Sequence, residues 1–292
     1  MVSLIVATVN RVEEFERLLG SLSRQSERDF EVIVVDQNAD DRLLPALQRH
    51  PELRIQHLRS LLGVSRARNA GLRSARGNIV CFPDDDCWYP DNLLATVTAW
   101  FAAHPEFDAL FTGMRSADHR LMASRWAPRA CPCSQNNVWH CASAITAFLR
   151  MRAAGAVGYF NESFGPGTSS SYQSGEDMDY FVRLTKLGLP AWYDPAITVH
   201  HPELHAVERF RRTSYKYALG VGYVLRVHDY SWWYLGQFLL RSLGGALISL
   251  CKADLARAGA YLLRAAGLLL GYVFGPRDLR KQPESSATHD IA

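Results

Sequence analysis

Two apolar runs near the start constrain this chain most: Val2-Ser-Leu-Ile-Val-Ala-Thr8 and Phe30-Glu-Val-Ile-Val-Val-Asp36. A strand with one wet face alternates apolar and polar residues. Near-continuous apolar runs of this length suit strands covered on both faces. Between them, Phe15, Leu18, Leu19 and Leu22 recur at helical spacing over 13–23. The alternation continues, with a short helix at 43–48, a strand at 54–58, a helix at 65–76 and a strand at 77–82. Strands alternating with helices predict an α/β fold with a mostly parallel sheet flanked by helices. Further on, 91–104 reads as a helix and 109–112 as a strand. Residues 115–140 read as irregular loops, and 142–151 returns to apolar structure. A flexible loop at 165–171, a helix at 180–187 and a strand at 192–199 follow.

Open sheets of this kind bind ligands beyond the carboxyl ends of their strands. Three polar clusters fall there: Thr8, Asn10 and Arg11; Asp36 and Asn38; and Asp84, Asp85 and Asp86. Their convergence predicts one cleft. The triplet is its most informative part. Adjacent carboxylates repel one another, so a merely structural turn seldom uses three without a cation. Carboxylates at a strand tip suit a hard divalent ion, Mn2+ or Mg2+. Such an ion can absorb charge developing on a diphosphate leaving group. Asp86 is the preferred ligand. Asp84 and Asp85 compete for the second position, Asp84 also for the donor ribose or sugar. The bland alternative is a solvated acidic turn.

Several motifs then agree in order and spacing. They are Ile5-Val-Ala-Thr8-Val-Asn10-Arg11, Gln25, and Val32-Ile-Val-Val-Asp36-Gln-Asn38. Next come Gly63-Val-Ser-Arg66-Ala-Arg68-Asn69-Ala-Gly71, Ala75-Arg-Gly77 and Phe82-Pro-Asp84-Asp85-Asp86-Cys-Trp88. The last is Gly175-Glu176-Asp177-Met-Asp179 with Arg183. Over about residues 2–203 the chain resembles the inverting family 2 glycosyltransferases of the GT-A fold, of bacterial surface-polysaccharide type. Many relatives read D-x-D-D at the metal site, whereas this chain reads Pro83-Asp84-Asp85-Asp86-Cys87, which leaves the register open by one residue. The resemblance implies that Thr8, Asn10 and Arg11 contact the nucleotide of a nucleotide-sugar donor. It further implies that Asp36 hydrogen-bonds the base, and that Arg66 or Arg68, with Asn69, serves the phosphates or orders the cleft. It assigns Asp177 as the general base that deprotonates the acceptor hydroxyl, with Glu176 orienting it or touching the acceptor. A carboxylate is ionised at neutral pH and ready to accept a proton. These acids also suit the start of a helix. Of His200 and His201, His201 is the better match to a metal or diphosphate ligand.

Two rival functions weigh less. A nucleotidyltransferase would want a Gly-rich basic loop after the first strand, and Thr8-Val-Asn10-Arg11 is not one. A non-catalytic scaffold subunit would be favoured by loss of the triplet or of Asp177, and both are present. A net charge of +3 on 292 residues does not imply nucleic acid.

From Trp232 to Phe274 the sequence turns to Leu, Ala, Gly and aromatics, broken at Lys252-Ala-Asp254. Arg241 and Lys252 share one helix face; Asp254, Arg257 and Arg264 form another polar stripe. Narrow charged stripes on wide apolar faces, begun by Trp232-Trp233, suit helices lying in a membrane interface better than a spanning segment. Arg209, Arg211, Arg212 and Lys216 would add attraction to anionic lipid. The expected partners are a nucleotide sugar, a lipid-linked or other saccharide acceptor and a membrane surface, with homo-oligomerisation open. No basic leader is visible. The spacing of Cys131, Cys133 and Cys141 fits no common zinc finger, so the cysteines read as reduced thiols. The expected place is the cytoplasm, peripheral on the inner membrane face. The domain plan is 1–205 catalytic (about 1–90 nucleotide half, about 91–205 acceptor half), 206–280 amphipathic helical and 281–292 disordered.

Overall fold

The apolar runs form the centre of the sheet. In the computed structural model, β1 (Val2–Thr8) pairs in parallel with β2 (Phe30–Asp36), and Thr8 lies beside Asp36. The structure describes residues 1–116, 126–202 and 206–276, without the side chains of 206–209, 211 and 212. The side chains of Arg209, Arg211 and Arg212, residues 117–125 of the stretch expected to form irregular loops, and the 281–292 tail therefore lie outside the described residues.

One face of β1 and β2 sends Leu4, Val6, Val32 and Val34 into a fully buried core with Phe15, Leu18, Leu19 and Leu22 of α1 (Val12–Ser23). After α2 (Leu44–Gln48), β3 (Ile55–Arg59) pairs in parallel with β2. Then α3 (Val64–Ser74) leads to β4 (Ile79–Cys81), parallel to β1. Next come α4 (Leu93–Ala103), β5 (Ala109–Arg115), the two-residue β6 (Cys131–Pro132), β7 (Ala147–Arg150), α5 (Met151–Val157), α6 (Glu176–Lys186) and β8 (Ala191–His200). The sheet order is β3-β2-β1-β4-β7-β5-β8-β6. The pairs β1–β2, β1–β4, β2–β3 and β5–β8 are parallel, whereas β7 runs antiparallel to β4 and β5. The mostly parallel α/β fold expected from the sequence is thus present, with an antiparallel strand in its middle.

Three boundaries differ for physical reasons. The third helix ends at Ser74 because Arg76 N and Gly77 N turn away to donate to Glu31 Oε1 and Ser3 Oγ, each at 2.8 Å. The fourth strand stops at Cys81, and Pro83 has no N–H to continue a ladder. The chain then touches β1 once more, through an isolated Ala7–Asp84 bridge. The sixth helix starts at Glu176 rather than Tyr180, which places Glu176, Asp177 and Asp179 in its first turn.

The chain forms two compact units. One contains residues 1–160 and 177–204; the other contains 161–176 with the C-terminal helices. A single cut at 205 misses that segment 161–176 groups with the helices. Those helices are α7 (Ala206–Val227), α8 (Trp232–Cys251) and α9 (Leu255–Phe274). Ser231 caps α8, accepting from Tyr234 N at 3.2 Å. Asp254 caps α9, accepting from Arg257 N at 2.9 Å, at the end of the interhelix turn expected at 252–254.

Helices α7 and α9 pack at glycines. A Cβ at Gly271 would lie 2.1 Å from the Leu219 carbonyl oxygen, and one at Gly222 2.2 Å from that of Leu268. Such contacts let two backbones meet without intervening side chains. Gly271→Val should therefore force the helices apart and destabilise the unit by about 1–3 kcal/mol. Gly259 has open space around the same position; Gly259→Ala should be neutral or stabilising by up to about 1 kcal/mol. Thermal unfolding followed by circular dichroism separates the two, and equal midpoints would refute the close packing.

Candidate active site

The carboxyl ends of β1, β2 and β4 bring the polar clusters together. Asp36 is fully buried. Its Oδ1 accepts from Asn38 N at 2.8 Å and Asn38 Nδ2 at 2.7 Å, while Oδ2 lies 3.0 Å from both His57 Nε2 and Arg59 NH1. The carboxylate thus organises the loop after β2. Asn38 Oδ1 in turn accepts from Asn10 N at 2.7 Å, and Asn10 Oδ1 accepts from Arg42 at 2.8 Å. Asn10 has φ of 59°, a left-handed conformation that asparagine tolerates.

The acidic triplet is divided by its cationic partners. Arg11, expected at the nucleotide, bridges Asp85 Oδ1 at 2.8 Å and Asp86 Oδ2 at 2.6 Å with one guanidinium nitrogen. Arg68 reaches Asp84 Oδ1 at 3.4 Å from a nearly buried position against the Phe160 ring. Arg66 is exposed and donates to Leu62 O at 3.4 Å. The two arginines are two residues apart on α3, so the helix turns them to different sides. Asn69 clamps the Phe160 backbone, donating to its carbonyl at 2.9 Å and accepting from its N–H at 2.8 Å.

Asp84, Asp86 and His201 each offer a ligand atom, all within 4.8 Å of one another. The surroundings of His201 test whether a cation fits. Its Nδ1 lies 2.8 Å from the Pro202 carbonyl oxygen, which can only accept, so Nδ1 carries the proton. Its Nε2 lies 3.1 Å from Asp86 Oδ1. That oxygen is buried and, among the described residues, no donor is aligned on it unless His201 Nε2 itself carries a proton. In the neutral imidazole two lone pairs would face each other there, unless a proton or a metal lies between them. A backbone carbonyl fixing the other ring nitrogen is a common arrangement behind a metal-bound histidine. Two carboxylates suit a hard divalent ion, and the added imidazole favours Mn2+ over Mg2+ in that set, so the residues fit one of the two expected ions better than the other.

The charged groups of the cluster shift one another, and the proton on His201 and a metal ion compete for the same place. Desolvation pushes the Asp85 carboxyl up to about 6 against the pull of Arg11. Desolvation also raises Asp84, with Asp86 and Asp177 adding to the rise and Arg68 opposing it. Water tempers that effect, since 42% of the Asp84 side chain stays accessible. For Asp86, burial acts upward, but His201 and Arg11 outweigh it and hold the carboxyl low. Burial likewise acts downward on His201, and Asp86 overcomes it, leaving the imidazole raised. Like charges are crowded here and stabilised only locally.

Asp177 opens the first turn of α6. Its Oδ1 accepts from Met178 N at 2.8 Å and its Oδ2 from Ala144 N at 3.3 Å. It stays partly exposed, near enough to Asp84 to influence that group's titration. Glu176 is buried, against Gly165 of the same unit. Thr8 is buried at the tip of β1. His57, Arg59, Arg17 and Trp88 were not anticipated as site residues. His57, Arg59 and Arg17 reach the site by tertiary pairing that leaves no spacing signature, although Arg59 stands opposite Asp36 in the parallel register, whereas Trp88 follows Asp86 by two residues within the quoted motif.

A family model described as "Glycosyl transferase family 2" matches residues 3–152. The amylovoran biosynthesis glycosyltransferase AmsB of Erwinia amylovora is 36% identical over 98 residues, covering 31% of this chain and 33% of that one. The matches span between 22% and 33% of the length of the curated relatives. S. aureus TarS 1-349 in complex with UDP-GlcNAc shares the fold with a TM-score of 0.57 at 19% identity, covering 92% of this chain and 90% of that chain. The mannosyltransferase PcManGT from Pyrobaculum calidifontis, in complex with GDP-Man and Mn2+, gives 0.63 at 18% identity, covering 94% and 88%.

Proposed function

The chain belongs to glycosyl transferase family 2, and from that premise we propose that it moves a sugar from a nucleotide-diphosphate sugar to a hydroxyl with inversion. The observation that carries the reading is the joining of Asp84, Asp86 and His201 into one cluster. The donor nucleotide lies over Thr8, Asn10 and the Asp36–Asn38 loop, and Arg11 and Arg68 supply positive charge for its diphosphate. Asp86, Asp84 and His201 would hold a divalent cation, which when bound neutralises the charge of the leaving diphosphate. Asp177 takes the proton of the acceptor hydroxyl as that oxygen bonds to the anomeric carbon and the bond to the phosphate oxygen breaks. Glu176, next to it in the chain, serves acceptor binding. An α-linked donor should yield a β-linked product. Anomeric coupling constants from proton NMR of the product test this, and an α linkage would overturn inversion.

The acceptor in this reading is a lipid-linked saccharide of bacterial surface-polysaccharide synthesis, met on the cytoplasmic face of the membrane. The name of AmsB, an amylovoran biosynthesis glycosyltransferase, supports the polysaccharide-synthesis part of this reading. Among the described residues one helix, α8, is long and apolar enough to cross a membrane, with mean hydropathy 1.2. Its Leu240, Leu243 and Leu247 form an exposed stripe, and Trp232 and Trp233 stand exposed at its start. An amphipathic helix lying in the interface uses such a stripe. Leu240→Glu with Leu247→Glu should abolish co-sedimentation with anionic vesicles without changing the thermal midpoint. Unchanged sedimentation would remove the membrane from the reading.

A further inference from the structure

The indole of Trp88 joins the two segments that carry Asp86 and His201. It stacks on the His200 imidazole, with ring centroids 5.4 Å apart and planes 7° from parallel. The Arg17 guanidinium lies over the same indole, 4.6 Å from its centroid. Arg17 also donates to the Asp86 carbonyl oxygen at 2.6 Å. Beneath these side chains, Trp88 and His200 exchange both backbone hydrogen bonds at 3.0 Å in an isolated antiparallel bridge. The next residue, His201, is tied on its other side by donating its N–H to Arg115 O at 2.9 Å.

Two cluster residues from distant parts of the chain thus meet across one bridge. Asp86 stands two positions before Trp88, and His201 one position after His200. Two backbone hydrogen bonds fix the pair at one point but leave rotation about it. The stacked rings resist that rotation, and Arg17 adds a contact on the Asp86 side. Cation–π contacts of this kind contribute about 0.5–1 kcal/mol each at exposed sites, comparable with one hydrogen bond.

We infer that Arg17, Trp88 and His200 form a positioning device that sets the separation of Asp86 and His201 for a divalent cation. None of the three is a ligand in this assignment; each acts through the residue it holds. Partners behind a metal's ligands change its affinity by about 10- to 100-fold when removed. The inference rests on the metal-site reading above.

The test is titration of the full chain with Mn2+ alone, with free Mn2+ read by electron paramagnetic resonance. The wild type should bind Mn2+. Trp88→Ala should bind about 10- to 100-fold more weakly, and Trp88→Tyr, which restores a stacking ring, should return close to wild type. Arg17→Met keeps the aliphatic stem of an exposed residue and loses the guanidinium. It should weaken Mn2+ binding with an unchanged thermal midpoint, and it carries the test if Trp88→Ala fails to fold. Wild-type affinity in both folded variants would overturn the positioning role and leave the metal site standing. Equal weakening in Trp88→Tyr and Trp88→Ala, with a lowered midpoint in both, would reduce Trp88 to a packing residue and overturn the role. A wild type that binds no Mn2+ would overturn the metal-site reading together with this inference.

Discussion

Asp86→Asn is expected to leave the fold intact and reduce sugar transfer by about a thousandfold, corresponding to about 4 kcal/mol of lost transition-state stabilisation. Asp86 is the triplet member that meets His201 while also holding Arg11. Removing its charge takes one hard ligand from the cluster and leaves His201 facing an amide. The variant should lose Mn2+ binding in parallel with activity, and excess Mn2+ should recover little of it. The neighbouring Asp85→Asn should cost far less, because Asp85 is paired to Arg11 and lies outside the three-residue cluster. Initial rates for the two variants with one donor, together with Mn2+ titrations, check this. Equal losses in both would mean that the triplet acts only as a block of charge.

Asp177→Asn should lower kcat by about 10²- to 10⁴-fold, the usual range for a removed general base. Its binding constants should move little. The carboxylate is anchored through Met178 N and Ala144 N, and an amide oxygen can accept only part of that pattern. Donor affinity, measured by calorimetry with Mn2+ present, should stay within a few-fold of the wild type. Such a split places the loss in the chemical step. Retention of full kcat would remove Asp177 from the base role, and an equal loss of donor affinity would make it a binding residue.

The sheet was legible where burial on both faces leaves continuous apolar runs. The β1 and β2 strands were bounded to the residue by their sequences. Where a strand shares its apolar run with a loop, the ends were lost: β4 shrinks to Ile79–Cys81, and the antiparallel direction of β7 has no local signal. In the site, the meeting of Asp84, Asp86 and His201 follows from two strand ends, those of β4 and β8. The choice between Asp84 and Asp85 needed tertiary partners, because adjacent residues differ only in which cation each side chain finds. The same holds for Arg66 and Arg68, whose separation is a matter of helix phase. Arg17 and Trp88 carry ordinary sequence contexts, and their stacking exists only once α1 and the turn after β4 are assembled. The membrane-facing reading of the C-terminal helices came from composition, which shows apolar area but not the Gly271–Leu219 approach that holds α9 on α7.

The central claim is that this cleft binds a nucleotide-diphosphate sugar through a divalent cation. The most direct measurement is the thermal midpoint of the full chain against a panel of uridine- and guanosine-diphosphate sugars, each with and without Mn2+. A ligand present at 100 times its Kd stabilises the folded state by about 2.7 kcal/mol. The expected result is that at least one nucleotide sugar raises the midpoint by several degrees with Mn2+, by much less without it, and not at all in Asp86→Asn. No shift with any donor, or a shift equal in the presence and absence of Mn2+ and in Asp86→Asn, would contradict it.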